Sequence, residues 1–207
     1  MTFTLHLLGH HPDEQRRVHQ EIDTVLGTRA PTAADLSQLT YTRMVIKEGM
    51  RLYPPAHALG RLAVTGDQIG GYRIPPGSVV ILSPWVTHRH PDFWPDPHRF
   101  NPDRFDPTAA ATHHRYAYFP FSGGLRGCIG EHFAMTEAIA ATAVLLHAYT
   151  LTTTPAPIAL NTGITLRPAG PVPCRLIPRQ PTTATDPPPR ADQPTAGGFH
   201  EHESHLP

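Results

Sequence analysis

Only two cysteines, Cys128 and Cys174, occur in 207 residues. Two are too few for a disulfide framework, and a reducing cytoplasm suits them. Long apolar runs are missing too: none approaches the ~20 residues of a transmembrane helix. The apolar stretch Phe3–Leu8 is too short for a signal peptide and has no basic leader. Neither sign of charge dominates. Seventeen Lys and Arg offset seventeen Asp and Glu, so the formal net charge is zero with His neutral. That balance leaves no basic footprint for nucleic acid. The expectations are a cytoplasmic chain without a nucleic-acid partner and without a membrane segment.

Proline and histidine are plentiful, with 25 and 15 residues. The prolines point to a loop-rich fold. The histidines are scattered, with pairs at His10-His11 and His113-His114, and read as solvated surface. Apolar Val18, Ile22, Val25 and Leu26 recur at helical spacing after Pro12. Helices are predicted over residues 1–9, from Pro12 to Gly27, over Tyr41–Leu52 and over Glu131–Ala148, with a short turn of helix at Thr32–Leu36. Strands are predicted at Arg61–Val64, Val79–Leu82, Tyr149–Thr153, Ile164–Arg167 and Val172–Ile177, with turns through the glycines and prolines of 70–77. Residues 91–120 read as an aperiodic, proline- and aromatic-rich meander. The boundaries follow: residues 1–179 form one folded unit, and 180–207 a disordered tail rich in Pro and His.

The stretch Phe121-Ser122-Gly123-Gly124-Leu125-Arg126-Gly127-Cys128-Ile129-Gly130 carries the chemistry. It sets a cysteine just ahead of a helix N-terminus, where dipole and free N–H groups favour thiolate, two residues after an arginine. A thiolate beside a cation in a glycine-lined loop is a metal ligand or a nucleophile. A lone cysteine in such a place reads more simply as an inert buried residue; the glycines and the arginine turn the reading toward a ligand. The loop resembles the haem-binding signature of the cytochrome P-450 family, Phe-x-x-Gly-x-Arg-x-Cys-x-Gly, at every specified position. Two further segments agree. Tyr41–Pro55 resembles the Glu-x-x-Arg helix of that family through Glu48 and Arg51, and Trp94–Phe105 its Pro-Glu-Arg-Phe segment, with Asp103 in place of Glu.

The resemblance implies a mainly α fold with small β-sheets (α+β), the C-terminal portion of the cytochrome P-450 fold. It implies haem b (iron protoporphyrin IX) with Cys128 as axial thiolate, Arg126 on a propionate, and Phe121 covering the sulfur. Gly124 and Gly130 would permit the tight turn and a close approach of backbone to porphyrin. Arg61, and more weakly His88, would reach propionates. Glu48, Arg51 and Arg104 would form a buried structural triad, with Arg99 the lesser partner. Ala56–Leu59 would face a small lipophilic substrate.

The family's distal helix normally supplies an acid–Thr pair that delivers protons to bound oxygen. No such pair is placed in this sequence, which is expected to start within the end of that helix, so no catalytic side chain is assigned. The implied activity is a monooxygenase fed by a separate electron donor, a ferredoxin or a flavoprotein reductase, in truncated form. The other readings left open are a catalytically inactive haem-binding fragment, one part of a split enzyme, a peroxygenase, or an unrelated protein with a reactive cysteine.

Overall fold

The computed structural model describes residues 1–154 and 156–180. The expected tail lies outside the described residues from 181 onward. The chain opens with α1, Thr2–His10, and α2, Pro12–Leu26. Pro12 sits in the first turn of α2, where its missing N–H is harmless, with Asp13 and Glu14 beside the positive end of the dipole. Val18, Ile22 and Leu26 form its buried stripe. Gly27 ends it at φ 58°, a conformation that favours glycine.

Helix α3, Thr40–Leu52, is started from outside. The Glu21 carboxylate of α2 accepts from the Tyr41 N–H at 2.5 Å and the Thr42 N–H at 2.8 Å, two of the donors a helix start leaves open. Tyr53-Pro54-Pro55 stops it. The chain then forms β1, Leu59–Leu62, the hairpin β2, Asp67–Ile69, with β3, Tyr72–Ile74, and β4, Val79–Leu82. The short helix α4, Pro84–Thr87, precedes the meander, the short α5, Pro107–Ala110, lies within it, and α6 runs Glu131–Ala148. Strands β5 (Tyr149–Thr153), β6 (Leu160–Thr162), β7 (Leu166–Pro168) and β8 (Cys174–Pro178) follow. All strands pair antiparallel in twos: β1 with β4, β2 with β3, β5 with β8, β6 with β7.

The core lies where α1, α2, α3 and α6 meet, roofed by Trp94, Phe100 and Phe105 of the meander. Helix α6 buries Met135, Ile139, Ala143 and Leu146, a stripe of one helical face. Two contacts are close enough to require glycine. A Cβ on Gly49 would run into the Thr4 side chain across the α1–α3 crossing, and one on Gly9 would come within 2.7 Å of Thr153 Oγ1.

Several expectations shift. The first strand is Leu59–Leu62 rather than Arg61–Val64, and Val64 is 84% exposed. Residues 70–77 hold more than turns: Gly70 and Gly71, at φ 58° and 85°, close the β2–β3 hairpin in the primed geometry that matches strand twist. The segment read as a strand at Ile164–Arg167 is the turn and second arm of the β6–β7 hairpin. The histidines are not all surface. His6 and His88 are buried, and His6 stacks edge-on against His10, one helical turn on, with ring centroids 4.4 Å apart.

Candidate functional site

The loop between the meander and α6 is shaped by its own backbone. Ser122 N–H donates to the Phe119 carbonyl at 3.0 Å, Gly127 N–H to Gly124 at 3.0 Å, and Cys128 N–H to Phe121 at 2.9 Å. Ser122 and Gly124 both lie in the left-handed region, at φ 67° and 65°. Gly124 is glycine for that reason, since a Cβ there would meet no atom within 4 Å. Gly130 differs from the expectation of a turn glycine. Its φ is −87°, open to any residue, and a Cβ there would make only an ordinary contact with Cys128 Sγ at 3.8 Å. Cys128 is a free, exposed thiol. Phe121 is half-buried and packs on the core, which anchors the loop at the residue whose carbonyl holds the cysteine.

Beneath the loop sits the Glu48–Arg51 pair, wholly buried on both sides. All five guanidinium N–H groups of Arg51 have acceptors. Nε and Nη2 donate to Glu48 at 2.7 and 2.8 Å. The carbonyls of His88, Pro97 and Arg99 take the rest at 2.8, 2.7 and 3.1 Å. Asn101 N–H adds a bond to Glu48 Oε1 at 2.9 Å. Burial pushes the Glu48 carboxyl up, and the Arg51 fork opposes it. Arg104 is the looser member: its Nε lies 3.6 Å from Glu48 Oε1, too far for a hydrogen bond, and its Nη2 donates to the Asp96 carbonyl at 2.9 Å. Arg99 takes part only through its carbonyl. Trp94 packs under the Arg51 guanidinium at 5.2 Å.

His88 does not stand where a propionate would reach it. It is fully buried, and its Nε2 accepts the Phe119 N–H at 2.9 Å. That bond puts the ring proton on Nδ1, toward the carbonyls of Met50 and Arg51. Burial, with Arg51 and Arg89 nearby, lowers its pKa to about 3. A neutral, sealed imidazole is a brace between α3 and the loop, so His88 leaves the propionate set.

Arg61 on β1 does face the loop. Its Nη2 donates to Ser122 Oγ at 2.7 Å and its Nη1 to the Gly60 carbonyl at 3.0 Å. With Leu82, Thr87, Tyr116, Phe119 and Gly124 it lines a cavity of about 500 Å³. Arg126 is exposed on the 3₁₀ turn Gly124–Arg126. Neither guanidinium pairs with a carboxylate among the described residues. Arg61 and the Gly123–Gly124 backbone line the apolar-walled cavity, and Arg126 and the open thiol of Cys128 follow within four residues on the same loop. This arrangement fits a flat, largely apolar ligand that carries carboxylates and takes a sulfur ligand.

A model of the cytochrome P450 family matches residues 1–174. The chain belongs to the cytochrome P450 family. It is similar to cyclooctatin synthase of Streptomyces melanosporofaciens, 45% identical over 145 residues, 70% of this chain and 32% of that one. It is also similar to cyclooctat-9-en-7-ol 5-monooxygenase of the same organism, 38% identical over 179 residues, 86% of this chain and 39% of that one. Among solved structures, the haem domain of cytochrome P450DA superimposes with a TM-score of 0.83 at 31% identity, covering 89% of this chain and 42% of that one. The chain thus spans less than half the length of these relatives.

Three features of the cysteine loop and the meander escape sequence reasoning. Ser122 receives Arg61 while holding a left-handed backbone; the neighbouring glycines were the only signal. Asp103 receives a bidentate fork from Arg17 of α2 at 2.7 and 2.9 Å, tying the meander to α2. The third is the rim: Leu125 and Ile129 are fully exposed and Phe133 is 75% exposed around the cysteine. All three lie within five residues of Cys128 along the chain.

Proposed function

We propose that this chain supplies the thiolate side of a haem-dependent P450 monooxygenase site. The reading places a small lipophilic organic substrate there and draws electrons from a separate ferredoxin or flavoprotein reductase. The observation that carries it is Cys128, an exposed thiol near the end of the glycine loop and just ahead of α6. Haem b (iron protoporphyrin IX), when bound at this site, supplies dioxygen activation that puts one oxygen atom into the substrate and releases the other as water. Cys128 would hold the iron. Arg126 and Arg61 would take the carboxylates, for which a guanidinium fork is suited. Phe121 would screen the sulfur from water and Gly124 would let the backbone approach. One relative is named for acting on cyclooctat-9-en-7-ol, which supports a lipophilic substrate of that kind. No helix among the described residues is long and apolar enough to cross a membrane.

The bare rim of Leu125, Ile129 and Phe133 favours a second reading, that this chain is one part of a split enzyme whose pocket is closed by further polypeptide. The test is the absorption spectrum of the purified chain, reduced with dithionite under carbon monoxide. A red-shifted Soret band is expected in the wild type and in Cys174→Ala. It should be absent from Cys128→Ala and Cys128→His. Equal loss in the Cys128 and Cys174 variants would sink the ligand assignment, and an absence of haem at every haem supply would leave only the split reading.

A further inference from the structure

Among the described residues, Asp96 and Ser122 alone combine a side chain with a positive φ. Ser122 holds φ 67°, a conformation in which glycine costs least. Gly123 and Gly124 follow at once, so the loop is rich in glycine and still keeps a serine at the strained position. Strain of this kind persists where neighbours hold it in place, and it gathers at ligand clamps. The backbone is held by Ser122 N–H, which donates to the Phe119 carbonyl at 3.0 Å. The side chain is held by Arg61, whose Nη2 donates to Ser122 Oγ at 2.7 Å.

A serine hydroxyl accepts at its lone pairs and donates its one proton. Arg61 occupies the accepting side, and the proton meets no acceptor among the described residues. Accepting from a cation polarises the O–H bond and makes it a stronger donor. Arg61 also gives Nη1 to the Gly60 carbonyl at 3.0 Å, which leaves the rest of its fork without an acceptor among the described residues. Both side chains line the cavity of about 500 Å³, whose apolar walls include Leu82 and Phe119. A charged donor and a neutral donor thus stand 2.7 Å apart on one wall. A carboxylate, with two oxygens and a full charge, satisfies both. An ester keeps weaker acceptors and brings no charge.

We propose that Ser122 is a binding residue that donates its hydroxyl proton to the ligand carboxylate taken by Arg61, the two side chains forming one clamp. The proposal rests on the reading above, in which Arg61 meets a carboxylate, and adds to it a donor from the cysteine loop itself. That addition has a geometric consequence. Ser122 and Cys128 lie six residues apart on one loop, and their N–H groups are held by the carbonyls of Phe119 and Phe121. A ligand seated in the clamp is therefore placed against the loop that bears the thiol, and not against β1 alone.

The full chain is titrated with pyrenebutanoate and with its methyl ester, whose own fluorescence reports binding without haem or turnover. Both are drug-sized and suit a cavity of this volume; they share a skeleton and differ in whether the carboxylate is free. Wild type is expected to bind the free acid about a hundredfold more tightly than the ester. Ser122→Gly suits the left-handed backbone and lacks only the hydroxyl. It should cut the preference about tenfold, the equivalent of about 1.4 kcal/mol and the order of one hydrogen bond. Ser122→Asn, which tolerates the same backbone and brings an amide donor, should restore part of it. Affinity for the ester should hold steady in all three proteins, a readout that a collapsed loop would move. An undiminished preference in Ser122→Gly, equal affinities in wild type, no binding of either probe, or an equal loss for both probes would overturn the proposal. The carbon monoxide spectrum is read on the same proteins with haem added. A thiolate band beside an undiminished preference in Ser122→Gly ends this inference alone, whereas a hydroxyl-dependent preference without haem binding ends the functional reading and leaves the clamp standing.

Discussion

Replacing Glu48 with Gln changes one oxygen for an amide and removes one charge, with little change of volume. Arg51 keeps its positive charge in a site with no exposure, and three of its five N–H groups still reach the carbonyls of His88, Pro97 and Arg99. What it loses is the anion on Nε and Nη2 at 2.7 and 2.8 Å. Stranding one partner of a buried pair costs about 3–5 kcal/mol. Arg104, 3.6 Å from the same carboxylate, pushes the cost toward the upper end, because two guanidiniums then face each other without an anion. Against a domain stability of about 5–15 kcal/mol, that is a third of the total or more. Arg51→Met should be as severe, since it strands Glu48 and orphans three carbonyls. The double variant removes both charges, so its cost should fall clearly short of the sum of the singles. It should not return to wild type, because the carbonyls stay unpaired.

The assay is urea unfolding of the full chain followed by the fluorescence of Trp94, fully buried beneath Arg51. A Glu48→Gln variant within about 0.5 kcal/mol of wild type, the range of an ordinary surface substitution, would mean that Glu48 is a neutral acid in the fold. Strict additivity in the double variant would mean that the two groups do not act as a pair.

Gly49→Ala should destabilise the chain by about 1–3 kcal/mol, the usual penalty for overpacking, although alanine is the better helix former, because its Cβ collides with the buried Thr4 side chain. Relief by Thr4→Ala in the same background, which removes the colliding Oγ1, is the check. Gly124→Ala should cost about 1–2 kcal/mol for a left-handed backbone, whereas Gly130→Ala should leave stability unchanged and disturb only the environment of the Cys128 sulfur. Comparative unfolding of the two variants separates these roles. Mild acid should weaken the fold through its buried histidines. His88 has a pKa of about 3 in the fold and about 6.5 in the unfolded chain, so below 6.5 the unfolded state binds a proton that the fold refuses. Its stabilising contribution is complete above pH 6.5 and is lost as pH falls toward 3, about 1 kcal/mol between pH 7 and 5.5. His19, lowered to about 4 mainly by burial, acts in the same direction. His88→Gln should flatten the pH dependence in that window; an unchanged slope would show that the ring is already protonated or exposed.

Legibility in the sequence followed distance along the chain. Glu48 and Arg51, three apart on one helix, and the residues 121–130 are local patterns, and the structure sets each group beside its neighbours in the motif. The Arg17–Asp103 fork spans 86 positions, and nothing in either segment announces the other. Residue type without burial misassigned His88: an imidazole near the loop reads as a ligand to a carboxylate until its nitrogen is found holding Phe119 N–H. The histidines read as surface failed in the same way at His6, because an isolated His carries no pattern to say which face of a helix it lies on. The Gly49 crossing was hidden for a different reason. A glycine in mid-helix reads as a weakness until the partner helix that needs its bareness is in place.

The long-range and local parts meet in one run of hydrogen bonds. Glu48 holds Arg51, and Arg51 donates to the His88 carbonyl. The His88 ring accepts Phe119 N–H, the Phe119 carbonyl accepts Ser122 N–H, and the Phe121 carbonyl accepts Cys128 N–H. Arg61 pins Ser122 from the side. Each bond alone contributes about 0.5–1.5 kcal/mol net. Their burial at the Arg51 and His88 end stiffens the series, because breaking one link there strands a polar group away from water. On its other side the loop exposes its own Leu125 and Ile129. The cysteine is therefore braced from beneath and open above, as a residue must be if its sulfur is to meet a ligand at a fixed position. A perturbation at Glu48, eighty residues earlier in the chain, should consequently reach the Cys128 loop through His88. In Glu48→Gln, amide hydrogen exchange at Phe119 and Cys128 should speed up under conditions where the α2 and α6 amides stay protected. Uniform loss of protection across the chain would mean that the pair supports the whole fold and not the loop in particular.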